Sequence, residues 1–249
     1  MTIPPARSAL ITGGSRGIGA EIARRLAREG YKLTLAARTA DLLHQTAQQL
    51  QAETGTDITA APVDLNDPDQ IQTLIDTHDN RYGRLDLLVS NAGTGTVGPL
   101  ADMPAKTYNR MLDINLRAPI ALIQYALPLL RKTARHNPDR GARIIAIASI
   151  AGVAAEAGLA AYGASKAALI SLCESITLEE SPDRVSATAI SPGYVDTDMT
   201  RWQRHRINPS EMITPADIAE LALAVSRLSP NAAIPNIVIS RTGSQIWRA

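Results

Sequence analysis

Thr12-Gly13-Gly14-Ser15-Arg16-Gly17-Ile18-Gly19 follows the first apolar run of the chain, at 8–12, and leads into an amphipathic helical pattern. Glycines at this spacing permit a tight turn and let a pyrophosphate approach the N-terminus of the following helix. A glycine cluster alone could be only a strand-to-helix turn, but here a predicted strand and a predicted helix flank it. The stretch therefore predicts a dinucleotide-binding turn, with contacts from Gly13, Ser15, Arg16, Gly17, Ile18 and Gly19.

Short apolar runs alternate with amphipathic helical windows along nearly the whole chain. This alternation predicts a parallel sheet with helices on both faces, the doubly wound α/β class. Ligands of such a sheet bind beyond the carboxyl ends of the strands, so the loops there are where a site is expected. The predicted strands lie near 8–12, 31–37, 57–63, 85–90, 143–149, 185–190 and 236–240, and the predicted helices near 18–29, 41–54, 67–82, 107–134, 161–180 and 215–228.

The composition fits a single domain over 1–249. Of the 249 residues, 45% are hydrophobic and 20% are charged, which is enough to bury one full core. The formal net charge of +1 gives no general attraction to nucleic acid or to an anionic membrane, so neither is an expected partner. No apolar run is long enough to cross a bilayer, and the start at 1–7 lacks the pattern of a signal peptide, so we expect a cytoplasmic location.

The cysteine and histidine content predicts no metal site. The single cysteine, Cys173, cannot form an internal disulfide, and its place on an apolar helical pattern favours a small buried hydrophobe over a nucleophile. The histidines fall in polar surroundings without metal-ligand spacing, and they are His44, His78, His136 and His205.

The end of the predicted second strand indicates which dinucleotide would bind. An NAD enzyme usually places an acidic residue there to bind the ribose hydroxyls. This chain has Ala36-Ala37-Arg38-Thr39 instead. A guanidinium can grip a 2′-phosphate that an acidic side chain would repel, so Arg38, beside Thr39 and assisted by Arg16, predicts NADP(H). Each arginine alone could equally be a solvated surface charge.

A possible proton-transfer pair lies in Tyr162-Gly163-Ala164-Ser165-Lys166. One helical turn places the phenol of Tyr162 and the ammonium of Lys166 on the same face. A neighbouring cation favours the phenolate and would lower the phenol pKa from its usual value of about 10. The spacing alone could be two solvated helix residues, but Ser149 closes an apolar run thirteen residues upstream. The three side chains together predict an acid-base site.

The glycine-rich turn, Ser149 and the tyrosine and lysine together resemble the short-chain dehydrogenase/reductase family, over residues 8–240. The resemblance implies a Rossmann-type sheet of seven parallel strands, assembled as a homotetramer or homodimer. It also implies that Tyr162 gives a proton to a carbonyl oxygen or takes one from an alcohol, and that Ser149 orients the same oxygen. Tyr162 and Lys166 would both contact the cofactor as well, the lysine at the nicotinamide ribose. The implied activity is NADP(H)-dependent interconversion of a small-molecule carbonyl compound and an alcohol.

The resemblance also assigns roles to residues that would mean little alone. Asn115, in Asp113-Ile114-Asn115-Leu116, matches the family asparagine that supports a water-linked proton relay to the lysine. The implied cofactor contacts are Asp64 and Leu65 at the adenine, Asn91, Ala92 and Gly93 on the adenosine side, and Pro192, Gly193, Val195 and Thr197 at the nicotinamide carboxamide.

The C-terminal part of the chain bears on the substrate. It lacks the aspartate-glycine-glycine segment of many members, including the 3-oxoacyl carrier-protein reductases, and looks more like bacterial NADP-dependent members that act on small ketones, aldehydes or hydroxy acids. Within a candidate substrate lid at about 196–213, Trp202 and the arginines Arg201, Arg204 and Arg206 suit an acidic or polarised substrate. The same stretch could equally be an ordinary surface helix.

Two alternatives remain open at this stage. A 3-oxoacyl carrier-protein reductase would dock an acidic carrier, for which the candidate surface is Arg131, Lys132, Arg135 and Arg184, although these could simply be solvated charges. A catalytically silent NADP(H)-binding sensor or scaffold would keep the dinucleotide site without turnover, and the complete set of catalytic residues argues against it.

Overall fold

Seven apolar runs form one parallel sheet in the computed structural model, which describes residues 6–243. The strands are β1 (Ser8–Thr12), β2 (Lys32–Ala37), β3 (Ile58–Pro62), β4 (Leu87–Ser90), β5 (Ala142–Ile147), β6 (Val185–Pro192) and β7 (Asn236–Ile239). Their order is β3-β2-β1-β4-β5-β6-β7, and every neighbouring pair is parallel. The predicted seven-stranded Rossmann-type sheet is confirmed.

The helices that connect the strands agree with the predicted windows to within about two residues at most ends, except for the window at 107–134. A π-helical turn at Asp113–Arg117 interrupts that window. The helices are α1 (Gly17–Arg28), α2 (Ala40–Thr54), α3 (Pro68–Tyr82), α4 (Ala105–Leu112), α5 (Ala118–His136), α6 (Ala160–Glu180) and α7 (Pro215–Ser226), and short 3-10 segments include Ile150–Gly152 and Asp198–Gln203.

The sheet separates two apolar cores, because successive strand residues point to opposite faces. In β1, Ala9 and Ile11 pack with α1, α2 and α7, whereas Leu10 packs with α3, α5 and α6. Cys173 is fully buried in the second core, and burial raises the pKa of its thiol to about 12. It is therefore a small buried hydrophobe, as its helical pattern indicates.

One histidine differs from its expected surroundings. His78 is fully buried, not in polar surroundings as we expected. Its ring contacts the hydroxyls of Ser8, at 3.2 Å, and Thr34, at 2.8 Å, and burial lowers its pKa from 6.5 to about 4. On α3 it follows Ile71, Leu74 and Ile75 at helical spacing, so it faces the core despite its polar neighbours in sequence.

Two terminal stretches, 1–5 and 244–249, lie outside the described residues. They include most of the segment 1–7, which we expected not to be a signal peptide. Within 6–243, none of the helices has the length and apolarity that crossing a membrane requires. In the same range no three histidine, cysteine, aspartate or glutamate side chains are grouped as a metal ion would need.

Candidate active site

The strand order reverses between β1 and β4, and this switch point is where an open α/β sheet leaves a crevice. Nδ2 of Asn91, in the loop after β4, donates to the carbonyls of Thr12, at 3.0 Å, and Gly13, at 3.2 Å. The N–H groups of Asn91 and Ala92 donate to the Thr12 hydroxyl, at 3.0 and 3.2 Å. These four bonds fix the glycine-rich turn against the neighbouring loop.

The turn has no room for side chains at two of its glycines. A Cβ on Gly19 would lie 2.3 Å from the carbonyl oxygen of Gly13, and one on Gly13 would lie 2.7 Å from Nδ2 of Asn91. Gly17, the first residue of α1, has a φ of +57°. Ser15 and Ile18 are half-buried in the same turn. The backbone N–H groups at the start of α1 are thus left open to an anion, and this chemistry fits a pyrophosphate.

At the end of β2, Arg38 and Thr39 are both exposed, and no acidic side chain occupies the position that would bind a ribose diol. Arg16 is exposed too, but its Nη1 atom pairs with Oδ2 of Asp198 at 3.0 Å. That aspartate begins the 3-10 helix Asp198–Gln203. Of the two predicted phosphate-binding arginines, one therefore already bridges the glycine-rich turn and the candidate lid.

The loop after β3 brings Asp64 and Leu65 to the same edge of the sheet. Oδ1 of Asp64 accepts from the N–H of Asn66 at 3.0 Å, which closes a local turn, and the N–H of Asp64 donates to Oε1 of Gln70 at 2.9 Å. Leu65 is half-buried. The turn holds both residues beyond the carboxyl end of the strand, where an adenine ring would lie.

Ser149 and Tyr162 are brought together by unusually close packing of two segments. After β5 the chain forms the 3-10 helix Ile150–Gly152, which packs on α6. A Cβ on Gly163 would lie 2.6 Å from the carbonyl oxygen of Ala151, and one on Gly152 would lie 2.7 Å from backbone atoms of α6. Because both positions are glycines, the hydroxyl of Ser149 reaches the phenol of Tyr162.

The electrostatics of the pair differ from our expectation that Lys166 lowers the pKa of Tyr162. Burial raises the pKa of Tyr162, and the hydrogen bond with Ser149 opposes this only in part. Nζ of Lys166 lies 5.8 Å from the centroid of the tyrosine ring and donates to the carbonyl of Ile147 at 2.8 Å. Burial also lowers the pKa of Lys166 to about 8. Desolvation is the main cause of both shifts, so the phenol is protonated at neutral pH.

Asn115 lies in the π-helical turn and is buried. Its side chain holds the loop after β4, because Oδ1 accepts from the N–H of Thr94 at 2.9 Å and Nδ2 donates to the Thr94 carbonyl at 2.8 Å. Nδ2 also contacts the hydroxyl of Ser165 at 3.1 Å. The residue four positions later is Pro119, which has no N–H to give to the Asn115 carbonyl in an α-helical bond.

Asn115 and Lys166 both face the loop after β4. A Cβ on Gly93 would lie 3.4 Å from Oδ1 of Asn115 and 3.5 Å from Nζ of Lys166. At Gly95, a Cβ would lie 3.3 Å from the ring of Tyr162. The two glycines thus let this loop pass directly over three of the four candidate catalytic residues. The water-linked relay from the asparagine to the lysine stays a prediction.

The loop after β6 reaches the glycine-rich turn. Pro192 ends the strand, and the N–H of Gly193 donates to the carbonyl of Ile239 at 2.9 Å. Val195 is buried. A Cβ on Gly17 would lie 3.4 Å from the methyl group of Thr197, so this residue lies over the start of α1. All of the predicted cofactor contacts are therefore on one edge of the sheet.

Two of the three arginines of the candidate lid already pair with aspartates, which weakens the argument for an acidic substrate. Nη2 of Arg201 pairs with Asp198 at 2.6 Å, and Nη2 of Arg204 pairs with Asp196 at 2.8 Å. Around the same edge, apolar side chains are exposed on the loops after β4, β5 and β6. They are five of the eight exposed large hydrophobic residues found within 6–243, namely Val97, Leu100, Val153, Met199 and Trp202.

The candidate carrier-docking surface lies at the opposite edge of the sheet. Its four basic residues are at the C-terminal end of α5 and at the start of β6, where the amino ends of the strands lie. Each basic group already contacts an oxygen of the protein. The partners are Glu180 for Arg131, Asp79 for Lys132, Asp183 for Arg135 and the Pro138 carbonyl for Arg184.

Some residues that shape the candidate site, at the carboxyl edge of the sheet, were not predicted from the sequence. Thr12 begins the glycine-rich motif. Its hydroxyl joins β1 to the loop after β4, and this contact can be recognised only when the order of the strands is known. Gly163 and Ser165 lie inside the tyrosine-lysine motif, yet their contacts with Ala151 and Asn115 are made across the fold. Local sequence carries no signal for such partners.

A sequence model described as short chain dehydrogenase matches residues 7–208, which is most of the chain. The chain belongs to the short-chain dehydrogenase family. The resemblance inferred from the motifs is therefore confirmed. The matched region ends before α7 and β7.

Two curated relatives illustrate the range within this family. An uncharacterised oxidoreductase of Bacillus subtilis is 36% identical over 195 residues, which is 78% of this chain and 73% of the relative. A rhamnolipid-biosynthesis 3-oxoacyl-(acyl-carrier-protein) reductase of Pseudomonas aeruginosa is 37% identical over 196 residues, which is 78% of this chain and 75% of the relative. The chain is an oxidoreductase of the same family.

Solved structures of short-chain dehydrogenases share the whole fold. The RhlG protein of Pseudomonas aeruginosa, in an active-site complex with NADP, gives a TM-score of 0.85 at 33% identity, with 95% of each chain covered. An alcohol dehydrogenase of the archaeon Thermococcus sibiricus, complexed with 5-hydroxy-NADP, gives a TM-score of 0.86 at 26% identity. The comparison covers 96% of this chain and 98% of the other.

Proposed function

We propose that the protein is an NADP(H)-dependent oxidoreductase that interconverts a carbonyl compound and an alcohol, acting on a small ketone, aldehyde or hydroxy acid. One observation carries the proposal above the others. The phenol of Tyr162 lies beside the hydroxyl of Ser149 and the ammonium of Lys166, at the same edge of the sheet as the glycine-rich turn.

In this proposal the side chains handle the proton while the bound dinucleotide supplies or accepts the hydride. During reduction, Tyr162 transfers its proton to the carbonyl oxygen, and Ser149 donates a hydrogen bond to that oxygen. One hydride at carbon and one proton at oxygen together make the alcohol. A phenol whose pKa is raised by burial is protonated at neutral pH, which is the form that donates a proton during reduction.

Lys166 and Asn115 complete the catalytic set as we propose it. Lys166 binds the nicotinamide ribose and places a positive charge next to the phenolate that forms when the proton leaves. Asn115 fixes the loop after β4 through Thr94 and links the lysine to water. The lysine would carry its charge below a pH of about 8, because burial lowers its pKa to that value.

For the cofactor we propose that the glycine-rich turn binds the pyrophosphate and that Arg38 binds a 2′-phosphate. The exposed guanidinium at the end of β2 and the lack of an acidic side chain there support NADP(H) over NAD(H). Both structural neighbours described above are NADP complexes. The remaining proposed contacts are Thr39, Asp64, Leu65, Asn91, Ala92, Gly93, Pro192, Gly193, Val195 and Thr197.

We further propose one domain over 1–249, with 196–213 as a lid over the substrate. The exposed apolar side chains on the loops after β4, β5 and β6 support a substrate with an apolar part. A homotetramer or homodimer and a cytoplasmic location stay predictions from sequence.

A test of the activity uses purified protein with a panel of short ketones, aldehydes and hydroxy acids and follows NADPH at its absorbance maximum. We expect turnover with NADPH and a much weaker response with NADH. Arg38→Ala should raise the KM for NADPH at least about tenfold and leave that for NADH unchanged. Arg28→Ala, at the far end of α1, is the matched control and should behave like the wild type. Equal use of both dinucleotides by wild type and Arg38→Ala would contradict the NADP(H) assignment.

A second candidate function is reduction of a 3-oxoacyl group on an acyl carrier protein. The Pseudomonas aeruginosa relative named for that activity favours it. Against it, the basic residues that could dock a carrier lie at the opposite edge and are already paired. Turnover of a carrier-bound 3-oxoacyl thioester that greatly exceeds turnover of free ketones would establish this alternative, and binding of NADPH without any turnover would support the silent sensor.

A further inference from the structure

Three polar side chains meet beside the loop after β6. The hydroxyl of Tyr194 donates to Oε1 of Glu156 at 2.8 Å, and Nε2 of Gln203 donates to the same hydroxyl at 2.6 Å. Glu156 lies on the loop between Ser149 and Tyr162, whereas Gln203 ends the 3-10 helix of the candidate lid. The cluster therefore joins the loop of the candidate catalytic residues to the lid.

Two oxygens of this cluster are buried, and neither has a hydrogen-bond partner in the part of the chain that the structure describes. They are Oε2 of Glu156 and Oε1 of Gln203. Gln203 is only 1% exposed, so bulk water does not satisfy its oxygen. The hydroxyl of Tyr194 has a single hydrogen, which Glu156 already accepts. The cluster thus lacks hydrogen-bond donors, and burying acceptors without donors is costly.

The local charge at the cluster is negative. Burial and the carboxylate of Glu156 raise the pKa of the Tyr194 hydroxyl to about 12, whereas Arg206 has a smaller opposing effect on the same group. Arg206 is exposed to solvent. The other lid arginines, Arg201 and Arg204, are paired with aspartates. An anionic substrate group placed here would meet the carboxylate of Glu156 and the amide oxygen of Gln203, both of which repel a negative charge.

The cluster also borders the exposed apolar side chains of the same edge. The rings of Tyr194 and Trp202 meet edge to face with centroids 5.9 Å apart. A Cβ on Gly158 would lie 3.4 Å from Val97, and the carbonyl of Gly158 accepts from the N–H of Gly98 at 3.0 Å. The loop that carries Glu156 is thereby fixed against the loop after β4.

We propose that Glu156 and Gln203, positioned by Tyr194, form a subsite that accepts hydrogen bonds from a hydroxyl or ammonium group of the substrate, distinct from the reacting carbonyl. This inference rests on the proposed oxidoreductase function and narrows its substrate class. The substrate is a carbonyl compound with an apolar part and a hydrogen-bond donor. A carboxylate, which the lid arginines suggested from sequence, is disfavoured.

The test compares three series of aliphatic ketones, in which each chain length carries a terminal hydroxyl or ammonium, a methyl ether, or a carboxylate. With NADPH and wild-type protein, we expect kcat/KM to be at least about tenfold higher for ketones with a terminal hydroxyl or ammonium, the donor ketones, than for the matching methyl ethers. One hydrogen bond to a charged acceptor contributes enough binding free energy for a factor of this size. Glu156→Gln should lower kcat/KM for the donor ketones about tenfold, mainly through KM, and leave the ethers unchanged.

Further variants separate this subsite from general damage. Gln203→Met removes the second acceptor at similar length and should also lower the preference for donors. Glu179→Gln, at an exposed position near the C-terminal end of α6, is the matched control and should behave like the wild type. Thermal unfolding checks that each variant folds. Equal turnover of donor ketones and ethers by the wild type would mean that a fixed water satisfies the two oxygens and would overturn the inference, as would a preference for carboxylates.

The same assay distinguishes this inference from the proposed function. Turnover of the ethers by wild type, Glu156→Gln and Gln203→Met supports the oxidoreductase function whatever happens to the donor preference. If the wild type oxidises no NADPH with any ketone, the proposed function fails and the subsite fails with it.

Discussion

The buried ammonium of Lys166 should destabilise the folded protein in a way that depends on pH. Lys166 is 4% exposed, and burial lowers its pKa from 10.5 to about 8. Between these two values the unfolded chain binds a proton that the folded chain does not, so the free energy of unfolding must rise with pH. The difference between the two pKa values of Lys166 corresponds to about 3 kcal/mol of unfolding free energy, at 1.36 kcal/mol per pKa unit. This cost is present in full below a pH of about 8 and is absent above 10.5.

Lys166→Met isolates this cost, because methionine is similar in length and carries no charge. The variant also loses the bond from Nζ to the Ile147 carbonyl, but that loss is nearly the same at every pH and only shifts the comparison by a constant. We therefore expect the free energy of unfolding of the wild type to gain about 3 kcal/mol relative to Lys166→Met between pH 8 and 10.5.

The assay is urea unfolding followed by far-ultraviolet circular dichroism at fixed protein concentration, across pH 7 to 11. Lys106→Met, at an exposed position on α4, is the matched control and should run parallel to the wild type. If Lys166 were instead paired with a phenolate in the folded protein, its pKa would be raised. The wild type would then lose stability relative to Lys166→Met as pH rises, and this result would refute the reasoning.

Three further predictions concern the residues that shape the sheet and the site. Gly163→Ala puts a Cβ 2.6 Å from the Ala151 carbonyl oxygen, so it should separate Ser149 from Tyr162 and lower kcat at least about tenfold in the NADPH assay, while Ala164→Ser should not. The free energy of unfolding should fall by about 3 kcal/mol from pH 6.5 to 4, since burial lowers the pKa of His78 to about 4, and His78→Gln should flatten this dependence in urea titrations. Arg143→Met should cost about 3 kcal/mol in urea unfolding, because the buried guanidinium bonds the carbonyls of Leu228, Ser229 and Ala232; an unchanged midpoint would contradict that role.

The sequence was sufficient for the sheet because the strands are short apolar runs, most of them buried on both faces, and such runs are visible without knowing their partners. The edge that carries the site follows from the parallel arrangement, since the glycine-rich turn, Arg38, Asn91, Ser149 and Gly193 all come directly after a strand. Tyr162 and Lys166 on α6 and Asn115 in the π-helical turn do not, and their place at this edge depends on helix packing. Pro119 also carried a readable signal, because a proline four residues after Asn115 removes the donor that an α-helix would need there.

Contacts between distant segments could not be predicted in the same way. Glu156, Tyr194 and Gln203 lie on three separate stretches, and nothing in their local sequence indicates that they meet. The pairing of Arg16 with Asp198 joins residues 182 positions apart. The expected lowering of the tyrosine pKa was wrong for a related reason, because spacing on a helix places two groups side by side but does not indicate how deeply the fold buries them.

The most direct test of the central claim is the rate of NADPH-dependent ketone reduction by Tyr162→Phe. This variant keeps the ring and removes only the proposed proton donor. Tyr125→Phe is the matched control, because it removes a phenol hydroxyl on α5 that is not among the candidate site residues. We expect Tyr162→Phe to retain NADPH binding and to lose at least about a hundredfold in kcat at saturating NADPH, which is the contribution that a positioned acid typically makes. A kcat equal to that of the wild type and of Tyr125→Phe would contradict the account.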